Sequence, residues 1–329
     1  MPQTHMEVPH HAILPHVALF RSPQSCQCKM TLRPQSEEKA LPSVTIVVPN
    51  FNGGATIEAT LVSLIEQNYP GLEILVVDGG STDNSAEVIR RYESHIAWWV
   101  SEKDRGQANA INKGFLRAKG EIVNWLCSDD VLLPNALLTV GRIFAAEPEV
   151  DVVAGSTLEH FSDGRRRDRL FKASGELIDI LPVNNPCAQP SCFYRRRLIQ
   201  TRSTPLDESY NYAMDTELWT YFRSIGARWK MIDEVLCRAV QSEENKTSVG
   251  GEKITRELEK LYNTYVHERI PLTYWHRLLR YPLERVRRRH RGALFAYLIY
   301  FPYQCAIIAL LSPFYGFRRV RWMNWAEFG

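Results

Sequence analysis

The sequence lacks paired cysteines. Seven are scattered through 329 residues, at 26, 28, 127, 187, 192, 237 and 305, and no CxxC spacing occurs. That excludes a zinc ribbon. An odd count without a framework points to reduced thiols in a cytosolic setting. A strong net charge is also missing. Forty Lys and Arg face 37 Asp and Glu, a net of +3, so no global field calls for nucleic acid. There is no secretory signal, because the run Ala12 to Phe20 is short, broken by Pro15 and His16, and preceded by no basic region. No internal repeat and no low-complexity linker appears. His5, His10, His11 and His16 read as part of a polar leader rather than a metal tract. Residues 1–41 are expected to form a disordered leader, with Met30 as an alternative start.

What is present is a globular composition, 45% hydrophobic and 23% charged. Order is expected from Ser43. Val44-Thr45-Ile46-Val47-Val48 is a continuous β-branched run, the mark of a strand buried on both faces. Ile57, Leu61, Leu64 and Ile65 then recur at helical spacing, and Tyr69-Pro70-Gly71 ends that helix. The cycle repeats with strands at Glu73–Val77, Ile96–Ser101 and Glu121–Leu126. The alternation predicts an α/β fold with an open, mostly parallel sheet flanked by helices. In such sheets ligands gather at the carboxyl ends of the strands. Three loops are therefore expected on one edge: Asn50-Phe51-Asn52, Asp78-Gly79-Gly80 and Ser128-Asp129-Asp130.

Asp78 ends an apolar strand before two glycines, which suits ligand contact; Asp83 either shares that role or caps the next helix. Asp129 and Asp130 repel each other, and a divalent cation with a taste for hard oxygen, Mn2+ or Mg2+, would relieve that cost. Taken alone, the same pair reads almost as well as a cap for a helix opening at Pro134. Beyond residue 150 the pattern loosens. Val152–Ala154 and Arg169–Phe171 suit antiparallel strands, and Tyr212–Ser224 and Glu252–His267 suit helices.

Four stretches in order are more specific than any of them alone. They are Val47-Val48-Pro49-Asn50-Phe51-Asn52, Val76 through Asp83, Glu102 through Gly114, and Ser128-Asp129-Asp130. Together they resemble the family 2 inverting glycosyltransferases, over roughly residues 43–265. The resemblance implies the GT-A fold, with a nucleotide-sugar half at 42–150 and an acceptor half at 151–250 inside a domain spanning 42–267. It places Pro49, Asn52 and Glu58 at base and ribose, and Asp78 at the nucleobase. Arg105, Gly106 and Asn109 fall along the nucleotide-sugar. Asp129 falls at ribose or sugar, and Asp130 as the direct metal ligand. Gln189, Pro190 and Ser191 match the acceptor-side segment. Asp215 matches the catalytic base, with Glu217 as its rival. The implied activity is transfer of a sugar from a nucleotide-sugar donor, with a weak lean to a UDP-sugar, to a glycan or lipid-linked acceptor.

Two departures stand out. The family's second acid after the second strand is Gly79 here, and where many relatives carry Arg-x-His this chain has Arg238 followed by Val240. Lys246 is a further candidate for the diphosphate. Two other functions compete with the transferase. A nucleotidyltransferase needs a basic phosphate loop after the first strand, and Asn50-Phe51-Asn52-Gly53-Gly54 has no Lys or Arg. A non-catalytic nucleotide-sugar-binding scaffold sits poorly with intact Asp129, Asp130 and Asp215.

The tail, 268–329, differs in character. Arg277, Arg280, Arg285, Arg287, Arg288, Arg289 and Arg291 precede the uncharged run Ala293–Leu311, and Arg318, Arg319 and Arg321 follow. Pro302 and Gln304 break the run, and positive charge on both sides gives no orientation for a span. The expectation is a helical extension that meets an anionic membrane surface at the cytoplasmic face, with packing on the catalytic domain as the alternative.

Overall fold

β-Branched residues at 44–48 form β1 (Val44–Asn50), which is buried throughout. Val44, Ile46 and Val48 point to one face and Thr45 and Val47 to the other, as alternation in a strand requires. In a computed structural model of the protein, residues 40–161, 168–241, 246, 252–268, 272–275, 278–279, 298–299 and 301–325 are described, all within the unit Lys39–Gly329. Nearly all of the expected leader, the arginines from 277 to 291, and Asn245, Thr247 and Ser248 lie outside the described residues.

After β1 come α1 (Ile57–Ile65), β2 (Leu72–Asp78), α2 (Ser85–Arg91), β3 (Trp98–Ser101), α3 (Gln107–Phe115) and β4 (Ile122–Trp125). The second half supplies β5 (Val131–Leu132), α4 (Ala136–Ala146), β6 (Val152–Phe161), β7 (Arg169–Phe171), β8 (Cys192–Arg195), α5 (Arg196–Ile199), α6 (Met214–Ser224) and β9 (Trp229–Gln241). Helices α7 (Glu252–Tyr265), α8 (Phe301–Tyr315) and α9 (Phe317–Trp325) follow.

The described strands make one sheet in the order β3-β2-β1-β4-β8-β6-β9-β5, with β7 on β6. β1 to β4 are mutually parallel, as the alternating pattern requires. β8 then enters antiparallel between β4 and β6. β9 runs parallel to β6, and β5 and β7 add antiparallel edges. The parallel part is built from residues 44–101 and 122–125, and the mixed part comes from β5 and the loosely patterned region after residue 150.

Each face of the sheet carries its own core. Ile111 and Phe115 of α3, Leu218, Trp219 and Phe222 of α6, and Leu261 of α7 cover Val47, Val77, Trp125 and Tyr194. Ile57, Leu61 and Leu64 of α1, Val88 and Ile89 of α2, and Val140 and Phe144 of α4 cover Val44, Ile46, Ile74 and Ile122. Removing a side chain such as Trp219, fully buried, costs about 3–5 kcal/mol in a core of this kind. α3 lies so close to β1 that a Cβ on Gly114 would stand 2.4 Å from Val47 Cγ1.

The described parts of the tail are helical and pack on the preceding domain, the alternative reading of its sequence. Ile307 and Leu311 of α8 and Val320 of α9 pack against Tyr262 and Leu272. Arg319 bonds Glu268 at 2.7 Å and the Tyr262 hydroxyl at 2.6 Å. Leu310, Phe314 and Phe317 are exposed on the other side. No helix among the described residues is long and apolar enough to cross a membrane.

Candidate active site

Parallel pairing puts the ends of β1, β2 and β4 at one edge, with Asn50 opposite Asp78 and Val47 opposite Trp125. The loops that follow touch. Gly54 N–H donates to Asp83 at 2.8 Å, and Asn52 N–H to Ser81 Oγ at 2.7 Å. Asn52, at φ 52°, takes the Thr82 N–H on its Oδ1 at 2.9 Å. A Cβ on Gly53 would meet Asn50 Oδ1 at 2.3 Å and Ser128 Oγ at 2.7 Å, so the first loop lies directly against the acidic turn. Asp83 ties the first loop and accepts the Ser85 N–H, while Asn84 holds the cap position of α2.

The acidic turn is not a helix cap. Thr60 Oγ1 fixes the Asp130 carbonyl at 2.8 Å, and the next residues, Val131 and Leu132, form β5 against Cys237 and Arg238. α4 begins only at Ala136, behind a left-handed Asn135. The Asp130 carboxylate is 7% exposed, and its one described donor is the Val240 N–H at 3.3 Å. Burial raises the carboxyls of Asp129 and Asp130, and the Asp129 charge raises Asp130 further. A buried Asp130 beside a half-buried Asp129, with no ion-paired cation among the described residues, is what a divalent ion would stabilise. The donor set fits one, because ligand atoms of Cys127, Asp129 and Asp130 lie within 4.8 Å of one another. Burial and both carboxylates push the Cys127 thiol well up. Sequence reasoning missed Cys127, although it directly precedes the turn.

Asp215 lies in the first turn of α6, and its carboxylate is close enough to Cys127 for the charge to be felt there. Burial raises it, against the Thr216 N–H at 2.6 Å and the Thr216 hydroxyl. Lys246 is near enough to Cys127 and Asp215 to feel both: burial lowers its ammonium, opposed by Cys127, Glu257, Asp104 and Asp215. Its Nζ donates to Gln107 Oε1 at 3.2 Å, and Gln107 Nε2 reaches Cys127 Sγ at 3.2 Å. Glu217, the rival base, is unavailable. Arg202 holds it from two nitrogens, and the Tyr265 hydroxyl adds 2.7 Å.

Other expected contacts are placed less directly. Asp78 is fully buried and accepts from Asn50, from the Ser81 N–H and hydroxyl, and from Ser101. Burial works to raise its carboxyl, but these bonds outweigh it and hold it low. Pro49 is buried in β1. Glu58 turns to Arg91 and Tyr92 of α2. Arg105 and Asn109 both bind Glu208, at 2.8 and 2.9 Å, joining α3 to the acceptor half. An open depression of about 480 Å³ lies beside this pair, lined by Arg105, Arg202, Thr204, Asp207 and Ser209, away from the acidic turn. Gln189 ties Asn124 and Trp125 at the end of β4, and Asn124 donates to the Pro190 carbonyl. Ser191 is buried, its hydroxyl bound to Thr157 and Ser156. The contribution of Pro190 and Ser191 is thus to position the segment.

Comparison with known proteins agrees with this geometry. Residues 45–202 match the family described as Glycosyl transferase family 2. Over those residues, a little under half of the chain, it is similar to the family 2 glycosyltransferases. Poly-beta-1,6-N-acetyl-D-glucosamine synthase of Staphylococcus epidermidis is 32% identical over 124 residues, 37% of this chain and 30% of that one. An uncharacterized glycosyltransferase of Rickettsia typhi is 26% identical over 193 residues, 56% of this chain and 60% of its own. The chain thus spans between about a sixth and three fifths of the curated relatives it matches. Among solved structures, the mannosyltransferase PcManGT of Pyrobaculum calidifontis, in complex with GDP-Man and Mn2+, superposes with TM-score 0.56 at 20% identity, over 88% of this chain and 87% of that one. TarS 1–349 of S. aureus with UDP-GlcNAc gives 0.54 at 17%, over 87% and 90%. The fold is that of GT-A glycosyltransferases.

Proposed function

We propose that the protein transfers a sugar from a nucleotide-diphosphate sugar to an acceptor hydroxyl with inversion at the anomeric carbon, using Asp215 as the base. The observation that carries this reading is the acidic turn, where ligand atoms of Cys127, Asp129 and Asp130 lie within 4.8 Å of one another, with Gln107 linking Cys127 to Lys246 and the Asp215 charge felt at both. Asp130, with Asp129 and Cys127 in reach, would hold a divalent cation such as Mn2+ or Mg2+. Bound there, the ion supplies positive charge against the diphosphate. Lys246 adds a second cation to the same region. Asp215, raised by burial, is a stronger base than a surface carboxylate and takes the acceptor's proton as its oxygen attacks. TarS and PcManGT, solved with UDP-GlcNAc and with GDP-Man, support a nucleotide-sugar donor. Relatives named for poly-N-acetylglucosamine synthesis and teichuronic acid biosynthesis support a glycan or lipid-linked acceptor. The exposed apolar side of α8 and α9 supports placement on an anionic membrane surface at its cytoplasmic face.

The test is nucleotide release from a panel of UDP-, GDP- and dTDP-sugars, with and without Mn2+, and the anomeric configuration of the product. Metal-dependent release, an inverted product and loss of transfer in Asp215→Asn and Asp130→Ala are expected. Pyrophosphate exchange instead of transfer would reveal a nucleotidyltransferase. Tight donor binding without turnover would reveal a scaffold.

A further inference from the structure

The loop after β2 has the place of a base-binding loop but no carboxylate of its own to offer. Asp78 is fully buried, and Asn50, Ser81 and Ser101 occupy both its oxygens. The next position is Gly79, which has no side chain. The space a side chain would take there is filled from elsewhere. A Cβ on Gly79 would stand 2.6 Å from Asp104 Oδ2, 3.1 Å from Asp104 Cγ and 3.3 Å from Phe51 Cδ2. The Asp104 carboxylate therefore sits where a residue-79 side chain would begin, delivered by the loop between β3 and α3.

We propose that Asp104, rather than Asp78, is the carboxylate that reads the nucleobase, and that it selects uracil or thymine through the ring N3–H. This deepens the donor reading above and rests on it. Asp104 is partly exposed, and its Oδ1 already accepts the Gly106 N–H at 2.8 Å. Oδ2 has no donor among the described residues, so one acceptor is left for a ligand. Uracil and thymine present a single N–H at N3, which one oxygen satisfies. Guanine presents its N1–H and amino group together, which calls for both oxygens of a carboxylate. Cytosine presents a lone pair at N3, which a carboxylate repels. Phe51 lies beside this oxygen with 66% of its surface exposed, a flat apolar face on which a base can stack. Lys246 feels the charges of both Asp104 and Asp215, which places Asp104 on the same cleft as the chemistry. Gly79 is what lets this arrangement form, since any side chain there would displace Asp104.

The test is calorimetric binding of UDP, GDP and CDP, each with Mn2+, to the full chain. The wild type is expected to prefer UDP. Asp104→Ala should weaken UDP about tenfold or more and change CDP less than twofold. The double variant Asp104→Ala with Gly79→Asp, which returns a carboxylate to the vacated space, should recover most of the UDP affinity. Gly79→Asp alone, forced against Asp104, should not bind UDP better than the wild type. UDP affinity unchanged in Asp104→Ala, or UDP and CDP lost equally as a ribose contact would give, overturns the inference and leaves the donor reading standing. A wild type that binds no nucleoside diphosphate overturns both.

Discussion

Arg202 donates from two guanidinium nitrogens to the two carboxylate oxygens of Glu217, at 2.8 and 2.7 Å. The pair is buried, with the Glu217 side chain 3% exposed. Two acids two residues apart thus differ in setting: Glu217 is held in an ion pair, and Asp215, the base of the proposed reaction, is not. Breaking a buried pair from one side costs about 3–5 kcal/mol. Glu217→Gln is expected to lower stability in urea titration by an amount near the bottom of that range. Its transfer rate per folded molecule should stay within a few fold. Asp215→Asn should do the reverse. The folded pKa of Asp215 is raised, so its ionised form opposes folding as pH rises through that value; the neutral amide removes this cost. That variant should be at least as stable as the parent at pH 7, with transfer down by a factor of about 10² or more.

The same shift sets a pH dependence. Asp215 acts as a base only when ionised, and burial raises its pKa above the ordinary carboxylate value. The kcat/KM profile should fall on the acid side with a midpoint above that of a free aspartate, about 3.9. A limb at or below that value would remove Asp215 from the role.

Metal should act on stability as well as on turnover. Mn2+ added to EDTA-treated protein is expected to raise the melting temperature in proportion to log concentration once the site saturates. Asp130→Asn should abolish the rise, and Cys127→Ser should reduce it. An equal rise in wild type and Asp130→Asn would place the ion elsewhere.

Glu257 of α7 accepts the backbone N–H groups of Asn211, Tyr212 and Ala213, at 2.7 to 3.0 Å, just ahead of Asp215. It caps the chain that delivers the base. Glu257→Gln keeps an acceptor but loses its charge, at a cost of about 1 kcal/mol. The expected signature is a kcat reduced several fold with the donor KM nearly unchanged. An equal rise in KM would indicate a collapse of the whole cleft instead.

The tail should partition to vesicles through its open side. Phe314→Asp and Leu310→Asp, both at exposed positions, are expected to weaken sedimentation with anionic vesicles by about tenfold each. Soluble-acceptor turnover should be retained. Binding insensitive to both changes would exclude α8 as the contact.

Much of the donor half was legible in the sequence because its strands are continuous apolar runs and its loops are short. The edge shared by Asn52, Asp78 and Asp130 follows from parallel pairing alone. What escaped were the contacts made across long separations. Nothing local marks Asp104 as the neighbour of Gly79, or Glu208 as the partner of Arg105 and Asn109. Asp78 looked open because a strand end beside glycines is usually accessible; three neighbouring side chains close it. The brief β5 was missed because two residues carry no period, and it decides that the acidic turn is no cap.

β5 also has a consequence for how the molecule can be divided. Residues 131–132 are held by residues 237–238, more than a hundred positions later, and the Val240 N–H completes the setting of Asp130. The acidic turn is therefore anchored last in chain order, by β9. A fragment ending near residue 150 would lack that anchor, and a chimera joined there must bring a ninth strand in register.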